Sequence, residues 1–166
     1  EILKKFFIAS LLLGWSTLIF GQEKTILKII NSELKKEVKN QLKSPNFSGD
    51  TIQIVEPFTI NEQQILSFTI KKTSSYFNGV QLVKQEVPLK SILKIGKDIN
   101  VIFETINDAV KTTTTSIDKE TKVQTSTGFL FFLYLSNEKQ NEEFGIKLQD
   151  AFKKAGFNVA KDYWYD

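Results

Sequence analysis

Beyond the first 21 residues, hydrophobic residues are most concentrated near the C-terminal end of the chain. The run Phe129–Leu135 has seven residues, and the hydroxyl of Tyr134 is its one polar side-chain group. A short, unbroken apolar run is typical of a strand that is covered on both faces. The pattern therefore predicts that Phe129–Leu135 is a central strand, against which the other strands pack.

A helix is predicted directly after this strand, over residues 137–155. Asn137 and Gln140 have the spacing of a capping box, and Gly156 stands where a left-handed C-cap is expected. Glutamates come early and lysines late, which suits the helix dipole. The apolar positions recur at helical spacing and predict the buried stripe: Phe144, Leu148, Ala151, Phe152 and Ala155.

A second helical pattern covers residues 23–43. Ser44-Pro45 ends it, because the residue before a proline is pushed out of the helical conformation. The helix either docks on the sheet or lies on an anionic membrane surface, and the mixed signs of its charges favour docking. Its apolar residues recur at every fourth position: Ile26, Ile30, Leu34, Val38 and Leu42.

Between the two helices, about residues 51–135, apolar and polar residues alternate as they do in half-buried strands. Pro57 indicates an edge or a bulge in the first strand, because proline has no backbone donor. Asn78-Gly79 indicates the turn of a hairpin. The inward-facing residues of the first two strands are predicted to be Ile52, Ile54, Phe58 and Ile60, then Leu66, Phe68 and Ile70.

Further turns are predicted at Gly96-Lys97-Asp98 and at Asn107-Asp108. The segment from Val110 to Thr127 is rich in threonine, which favours strands. With Asp118-Lys119-Glu120 at its tip, this segment is predicted to be a hairpin. It has few apolar side chains to bury, so we expect it to project into solvent.

The order of the elements predicts an α+β domain. It has an N-terminal helix, an antiparallel sheet or small, partly open barrel of about six to eight strands, and a C-terminal capping helix. Over Thr51–Gly156 this order resembles the pleckstrin-homology-like superfold, with Val87–Ile95 and Phe129–Ala155 as the nearest local likeness. The resemblance implies a bent antiparallel sheet capped by the last helix, and it implies no function. The helix before the first strand departs from that pattern.

The first 21 residues have the layout of a secretory signal peptide. Lys4 and Lys5 precede the apolar run Phe6–Phe20, and polar sequence begins at Gln22. The run is shorter than the roughly 17–25 residues of a spanning helix, which favours a cleaved leader over a permanent membrane anchor. We therefore expect an exported protein, periplasmic or secreted, with a single domain over residues 22–166.

Composition excludes several classes of chemistry. The chain has no histidine and no cysteine, which excludes Ser-His-Asp and Cys-His catalysis and ordinary zinc, haem or iron–sulfur ligation. All 22 basic residues are lysine, and the lack of arginine argues against nucleic-acid readout. No glycine-rich phosphate loop occurs. We predict no catalytic residue, no cofactor and no metal ligand.

Two enzymatic alternatives have weaker support. Ser91 and Lys94 have the spacing that pairs a serine nucleophile with a lysine base, but the partner motifs are missing and the same spacing recurs elsewhere in the chain. A hydrolase that works with two carboxylates needs neither histidine nor cysteine. No carboxylate pair is singled out by its spacing, so a binding function is the stronger hypothesis.

Two groups of aromatic residues are candidates for binding a partner: Tyr163, Trp164 and Tyr165 in the tail, and Tyr76 and Phe77 beside the Asn-Gly turn. Exposed aromatic residues often dominate interfaces. The alternative is that they pack, with the tail covering an open edge of the sheet. The sequence thus predicts a non-enzymatic binding or interaction domain. Its partner is an unknown protein or a small apolar ligand, and membrane contact through the leader or first helix is a further expectation.

Overall fold

The computed structural model describes residues 2–44, 47, 49–118 and 120–165, with side chains from residue 21 onward. Helix α1 (Ile2–Asn40) leads into a short 3-10 turn, and helix α2 (Glu142–Lys154) lies near the C-terminus. The strands are β1 (Thr51–Ile60), β2 (Ile65–Thr73), β3 (Val80–Pro88), β4 (Ile92–Asp98), β5 (Asn100–Thr105), β6 (Val110–Ile117), β7 (Thr121–Gly128), β8 (Leu130–Phe132) and β9 (Ala160–Tyr165). The α+β class is confirmed, with eight described strands between the two helices.

The strands form two sheets that do not close into a barrel within the described ranges. The five-stranded sheet has the order β1-β2-β3-β6-β7 and is antiparallel throughout. The four-stranded sheet has the order β8-β5-β4-β9, and β9 runs parallel to β4. The aromatic tail, which follows α2 in the chain, forms this parallel strand.

The described helix α1 begins at Ile2 and not at Glu23, where the sequence pattern placed the start of the first helix. The predicted leader, residues 1–21, lies almost wholly outside the described side chains, so its cleavage stays a prediction. In the part of the chain that the structure describes, no helix is both long and apolar enough to cross a membrane.

Phenylalanine rings connect the two sheets and α2 through one core. The Phe131 ring centroid lies 5.5 Å from that of Phe68 in β2 and 5.9 Å from that of Phe103 in β5. Phe103 in turn meets Phe152 of α2 edge to face, at 5.4 Å and 87°. These are the preferred geometries of aromatic pairs. The apolar stripe predicted for the first helix is buried at Ile26, Ile30 and Leu34, but Val38 is only half-buried and Leu42, in the 3-10 turn, is 68% exposed.

The prediction of a central strand over Phe129–Leu135 was wrong. The strand is only Leu130–Phe132, and it lies at an edge of the four-stranded sheet. Phe131 and Leu133 are fully buried, whereas Phe129 is 54% exposed, so the run alternates in burial. Its free edge faces β3, where the side-chain oxygen of Gln85 accepts a hydrogen bond from the Phe132 N–H at 3.0 Å.

The start of the last helix also differs from the prediction. The helix begins at Glu142, and Gln140 has a φ of 52°, which no helical residue adopts. The residue at the N-cap position is Asn141 and not Asn137, whose N–H donates to the Glu37 carboxylate of α1. The C-cap is confirmed: Gly156 has a φ of 85°, and the Phe157 N–H donates to the Phe152 carbonyl at 2.9 Å.

The turn predicted at Gly96-Lys97-Asp98 was wrong, because β4 continues through these residues. The chain turns one residue later, at Ile99, which has a φ of 64°. The bulge predicted from Pro57 is confirmed, since β1 is an edge strand whose register shifts around it. The predicted β2–β3 hairpin is also confirmed, and Gly79 closes it with a φ of 74°.

The threonine-rich hairpin is confirmed as β6 and β7, which pair without interruption from Val110–Gly128 to Ile117–Thr121. Seven of the eight residues of β7 are exposed. The hairpin therefore extends beyond the core, as its lack of apolar side chains predicted. Lys119, at the predicted tip, lies outside the described residues.

Candidate functional site

A cleft of about 530 Å³ opens where the C-terminal end of α1 meets the β4–β5 turn and the segment after β8. Its walls include Ile99, Tyr134, Lys72 and Lys139. The volume lies in the range of sites for small molecules, about 300–1,000 Å³. A larger groove, of about 670 Å³, separates α1 from α2, and half of its lining residues are charged, with both signs present.

Two cleft residues have an unfavourable backbone conformation. Ile99 has a φ of 64° and Tyr134 a φ of 55°. Positive φ is a genuine outlier for β-branched or bulky residues and costs on the order of 1–3 kcal/mol each. Ile99 is also 71% exposed, so burial of its side chain does not offset that cost. Strain of this kind concentrates at binding sites. Ile99 and Tyr134 line one cleft, whereas Gln64, Asn107 and Gln140, which also have positive φ, do not line it.

The segment 136–141 borders the cleft and is held in place from one side by the buried carboxylate of Glu37. This carboxylate accepts hydrogen bonds from the Ser136 N–H at 3.1 Å and from the Ser136 hydroxyl at 3.0 Å. It also accepts the Asn137 N–H, at 3.1 and 3.2 Å to its two oxygens. Hydrogen bonds to an ionised group are roughly twice as strong as neutral ones, so Glu37 orders this wall of the cleft.

Lys97 holds the same segment from the other side. Its side chain comes from β4 and is only 1% exposed. The ammonium donates to the Glu138 carbonyl at 2.7 Å and to the Asn141 side-chain oxygen at 2.9 Å, and it lies 5.9 Å from the Trp164 ring. Segment 136–141 is therefore fixed between a buried anion and a buried cation, which leaves the cleft pre-organised.

The cleft is lined by two lysines and two carboxylates beside apolar and aromatic side chains. The Lys72 ammonium lies 5.9 Å from the centroid of the Tyr134 ring, and the exposed Lys139 also lines the cleft. Burial raises the pKa of Tyr134 to about 12, so its hydroxyl keeps its proton at neutral pH. Asp50 also lines the cleft, and its carboxylate accepts the Ser74 hydroxyl at 2.7 Å.

The structure places the predicted aromatic residues of the tail in β9. The Tyr163 hydroxyl donates to the Glu104 carboxylate at 2.7 Å, and the Trp164 indole N–H donates to Asn141 at 3.0 Å. Tyr165, the last described residue, is more than half exposed. The tail thus covers the β4 edge of the four-stranded sheet, which is the packing alternative. Partner binding by these residues stays a prediction.

Tyr76 and Phe77 lie in the β2–β3 connection, on the five-stranded sheet and not with the tail. Tyr76 is 88% exposed and Phe77 is half-buried. The two predicted aromatic groups therefore belong to different sheets, and neither lines the cleft. Their role in binding a partner also stays a prediction.

Lys94, which the sequence spacing pairs with Ser91, contacts a different residue in the structure. Lys94 forms an ion pair with Asp162 at 2.6 Å. The hydrogen bond and the charge of Asp162 raise the pKa of Lys94. A lysine that acts as a base needs a lowered pKa, so this pairing favours a structural role.

The contact between Trp164 and Gly145 of α2 leads to a prediction about the tail. Glycine to alanine within a helix normally adds about 1 kcal/mol of stability. A Cβ on Gly145 would lie 2.5 Å from the Trp164 ring, so we expect Gly145→Ala to lower the free energy of unfolding instead. In a Trp164→Ala background the same substitution should raise it. Urea unfolding of the four proteins measures this, and a stabilising Gly145→Ala in the wild-type background would contradict the contact.

Comparison of the chain with protein-family models, with curated proteins and with solved structures finds no match. The site is accordingly interpreted from its own geometry.

Proposed function

We propose that this chain is an exported, non-enzymatic binding domain whose cleft holds a small ligand with an apolar body and an anionic group. One observation carries the proposal: Ile99 and Tyr134, both at positive φ, border the same cleft as Lys72. The cost of these conformations requires compensation elsewhere in the fold, and a ligand-binding surface is the usual context for it.

The chemical class of the ligand follows from the cleft walls. Ile99 and Tyr134 offer apolar and aromatic contact area, which supplies most of the affinity in small-molecule sites. Lys72 and Lys139 supply positive charge that orients an anionic group. The lysine ammonium binds as a point charge and does not select a planar, bidentate anion. Carboxylates, sulfonates and phosphate monoesters on an apolar body all fit this description.

A non-enzymatic role has support from the side chains present. Histidine and cysteine are absent from the whole sequence. The two acidic residues of the cleft, Glu37 and Asp50, already accept hydrogen bonds from the protein itself. Their acceptor atoms therefore serve to order the walls, which supports binding over hydrolysis by a pair of carboxylates.

Export rests on the pattern of residues 1–21. Intact mass of the protein from its native host tests it. A mass that begins near Gln22 in a soluble exported fraction supports the cleaved leader. A full-length mass in the membrane fraction favours the alternative of a membrane-anchored protein with an uncleaved leader.

Binding in the cleft is tested with 8-anilinonaphthalene-1-sulfonate, which joins an aromatic body to an anionic group. Lys72→Gln is expected to raise the dissociation constant about fivefold, equivalent to about 1 kcal/mol. Lys71→Gln is the matched control, because adjacent residues of β2 point to opposite faces of the sheet. Fluorescence titration measures both constants. Equal effects of the two substitutions, or no effect of Lys72→Gln, would contradict binding in this cleft.

A further inference from the structure

The edges of the two sheets differ in how their backbone groups are covered. At β1, the outer edge is paired by side-chain amides of the first helix and the 3-10 turn after it. The Asn31 amide donates to the Phe58 carbonyl and accepts from the Phe58 N–H, both at 2.9 Å. Gln41 does the same with Ile52, at 3.0 and 2.8 Å. These amides replace a neighbouring strand, so the β1 edge is closed.

The edges of the four-stranded sheet are protected in other ways. At β8, which has only three residues, the Gln85 side chain accepts the Phe132 N–H. At β9, Lys161 and Asp162 form ion pairs with Glu142 and Lys94. Short length and charged side chains are common ways in which proteins prevent an edge strand from pairing with another chain.

Of these protections, the β7 edge has only one charged side chain, that of Lys122, in the part of the chain that the structure describes. The strand has eight residues in continuous register with β6, without a bulge or a proline. No hydrogen bond from outside the β6–β7 hairpin reaches it in the part of the chain that the structure describes. In an antiparallel edge strand, alternate residues direct their N–H and C=O groups outward. β7 therefore presents a row of unpaired backbone donors and acceptors, which is a template for another strand.

We propose that β7 pairs antiparallel with β7 of a second copy of this chain, which joins the two five-stranded sheets into one sheet of ten strands. A two-fold axis perpendicular to the sheet relates the copies, so the interface is closed and self-complementary. The backbone groups of each β7 edge then form hydrogen bonds with those of the β7 edge of the other copy.

The sequence of β7 favours a second copy as the occupant. Lys122 is its one charged residue. The registers with the greatest overlap place Gln124 or Thr125 on the two-fold axis. Lys122 then faces Ser126 or Gly128 of the second copy, so two lysines are not forced together. The remaining cross-strand pairs are mostly between threonine, serine, glutamine and valine, and pairs of β-branched and hydroxyl side chains are favourable in sheets.

Apolar side chains beside the edge support the same arrangement. Val123 is 66% exposed, and Ile117, opposite Thr121 in the hairpin, is also exposed. Both project from one face of the sheet, since residues paired across strands share a face. The perpendicular two-fold axis keeps the same face of both sheets on the same side. With Gln124 on the axis, Val123 faces Thr125 of the second copy, so the two Val123 side chains become diagonal neighbours and lose exposure.

The test is the oligomeric state of the purified protein by sedimentation equilibrium over a range of concentrations. The wild-type protein is expected to dimerise, and Val123→Lys is expected to weaken the dimer at least about tenfold, because it adds like charges beside the axis. Val55→Lys is the matched control, since Val55 is a half-exposed valine on the closed β1 edge. It should leave the dimer unchanged.

Hydrogen exchange provides a second readout. The outward amides of β7 are expected to gain protection as the protein concentration rises, while amides elsewhere stay unchanged. If Val123→Lys lowers the melting temperature, Thr125→Lys on the same face serves as the second variant. A protein that stays monomeric with unprotected β7 amides would overturn the proposal, and so would a dimer that neither lysine variant weakens.

Discussion

Phe131→Asp is expected to leave no cooperatively folded protein at 25 °C. Phe131 is fully buried, and its ring lies within 6.3 Å of the rings of Phe58, Phe68 and Phe103. Loss of a buried phenylalanine costs about 3–5 kcal/mol, and burial of an unpaired carboxylate adds several more. The total stability of a domain is about 5–15 kcal/mol, so the substitution removes most or all of it.

Phe129→Asp is the matched control for this prediction, because it makes the same change two residues earlier on an exposed side chain. We expect its melting temperature to fall by only a few degrees, as for surface substitutions of roughly 0.5 kcal/mol. Circular dichroism during heating measures both variants. A cooperative transition in Phe131→Asp would show that the Phe131 ring does not connect the two sheets.

Glu37→Ala is expected to lower the free energy of unfolding by about 3 kcal/mol. The substitution removes the acceptor of the Ser136 and Asn137 N–H groups and leaves those donors without their partner. Hydrogen bonds to charged groups contribute about 1.5–3 kcal/mol, and an unsatisfied buried donor costs a further 1–3 kcal/mol. Urea unfolding measures the change.

Glu33→Ala is the control for Glu37→Ala, since Glu33 lies one turn earlier on α1 and pairs with the exposed Lys36. Such surface pairs contribute roughly 0.3–0.5 kcal/mol. Hydrogen exchange adds a local test: the Ser136 and Asn137 amides should lose protection in Glu37→Ala and keep it in Glu33→Ala. Equal stability of the two variants would contradict the role of Glu37 in ordering the cleft wall.

The strand pattern could be predicted from the sequence where one face of a strand is buried and the other is exposed to solvent. In β1 and β2 the inward residues, such as Phe58 and Leu66, are those whose parity indicated burial. The run Phe129–Leu135 gave a wrong result because it has apolar side chains on both faces. On its free edge the Phe132 N–H donates to the side chain of Gln85, 47 residues away in the chain, and no local pattern indicates that contact.

The start of α2 was misplaced for a related reason. Asn137 and Gln140 have the spacing of a capping box, and local propensity alone favours a helix from there. The Asn137 N–H donates to the Glu37 carboxylate, and the Lys97 ammonium donates to the Glu138 carbonyl and to the Asn141 side chain. These tertiary hydrogen bonds to buried charges outweigh the local capping signal.

The cleft could not be predicted from the sequence at all. Ile99 and Tyr134 belong to residue types that disfavour positive φ, so nothing in the local sequence marks them as turn residues. Glu37 and Lys72 are single charged residues among many in a chain with 22 lysines and 19 acidic residues. What distinguishes Glu37 and Lys72 from the other charged residues is their contacts with distant parts of the chain, and not their spacing in the sequence.

Binding of an apolar anion in the cleft beside Ile99 and Tyr134 can be located residue by residue from backbone amide chemical shifts during titration with 8-anilinonaphthalene-1-sulfonate. For binding in this cleft we expect saturable shifts confined to residues 37–41, 47, 50–52, 71–73, 98–101 and 133–139, which include its lining residues. Lys72→Gln should reduce these shifts, and Lys71→Gln should not. Shifts that instead centre on the groove between α1 and α2, or that spread over the whole chain without saturation, would contradict binding in this cleft.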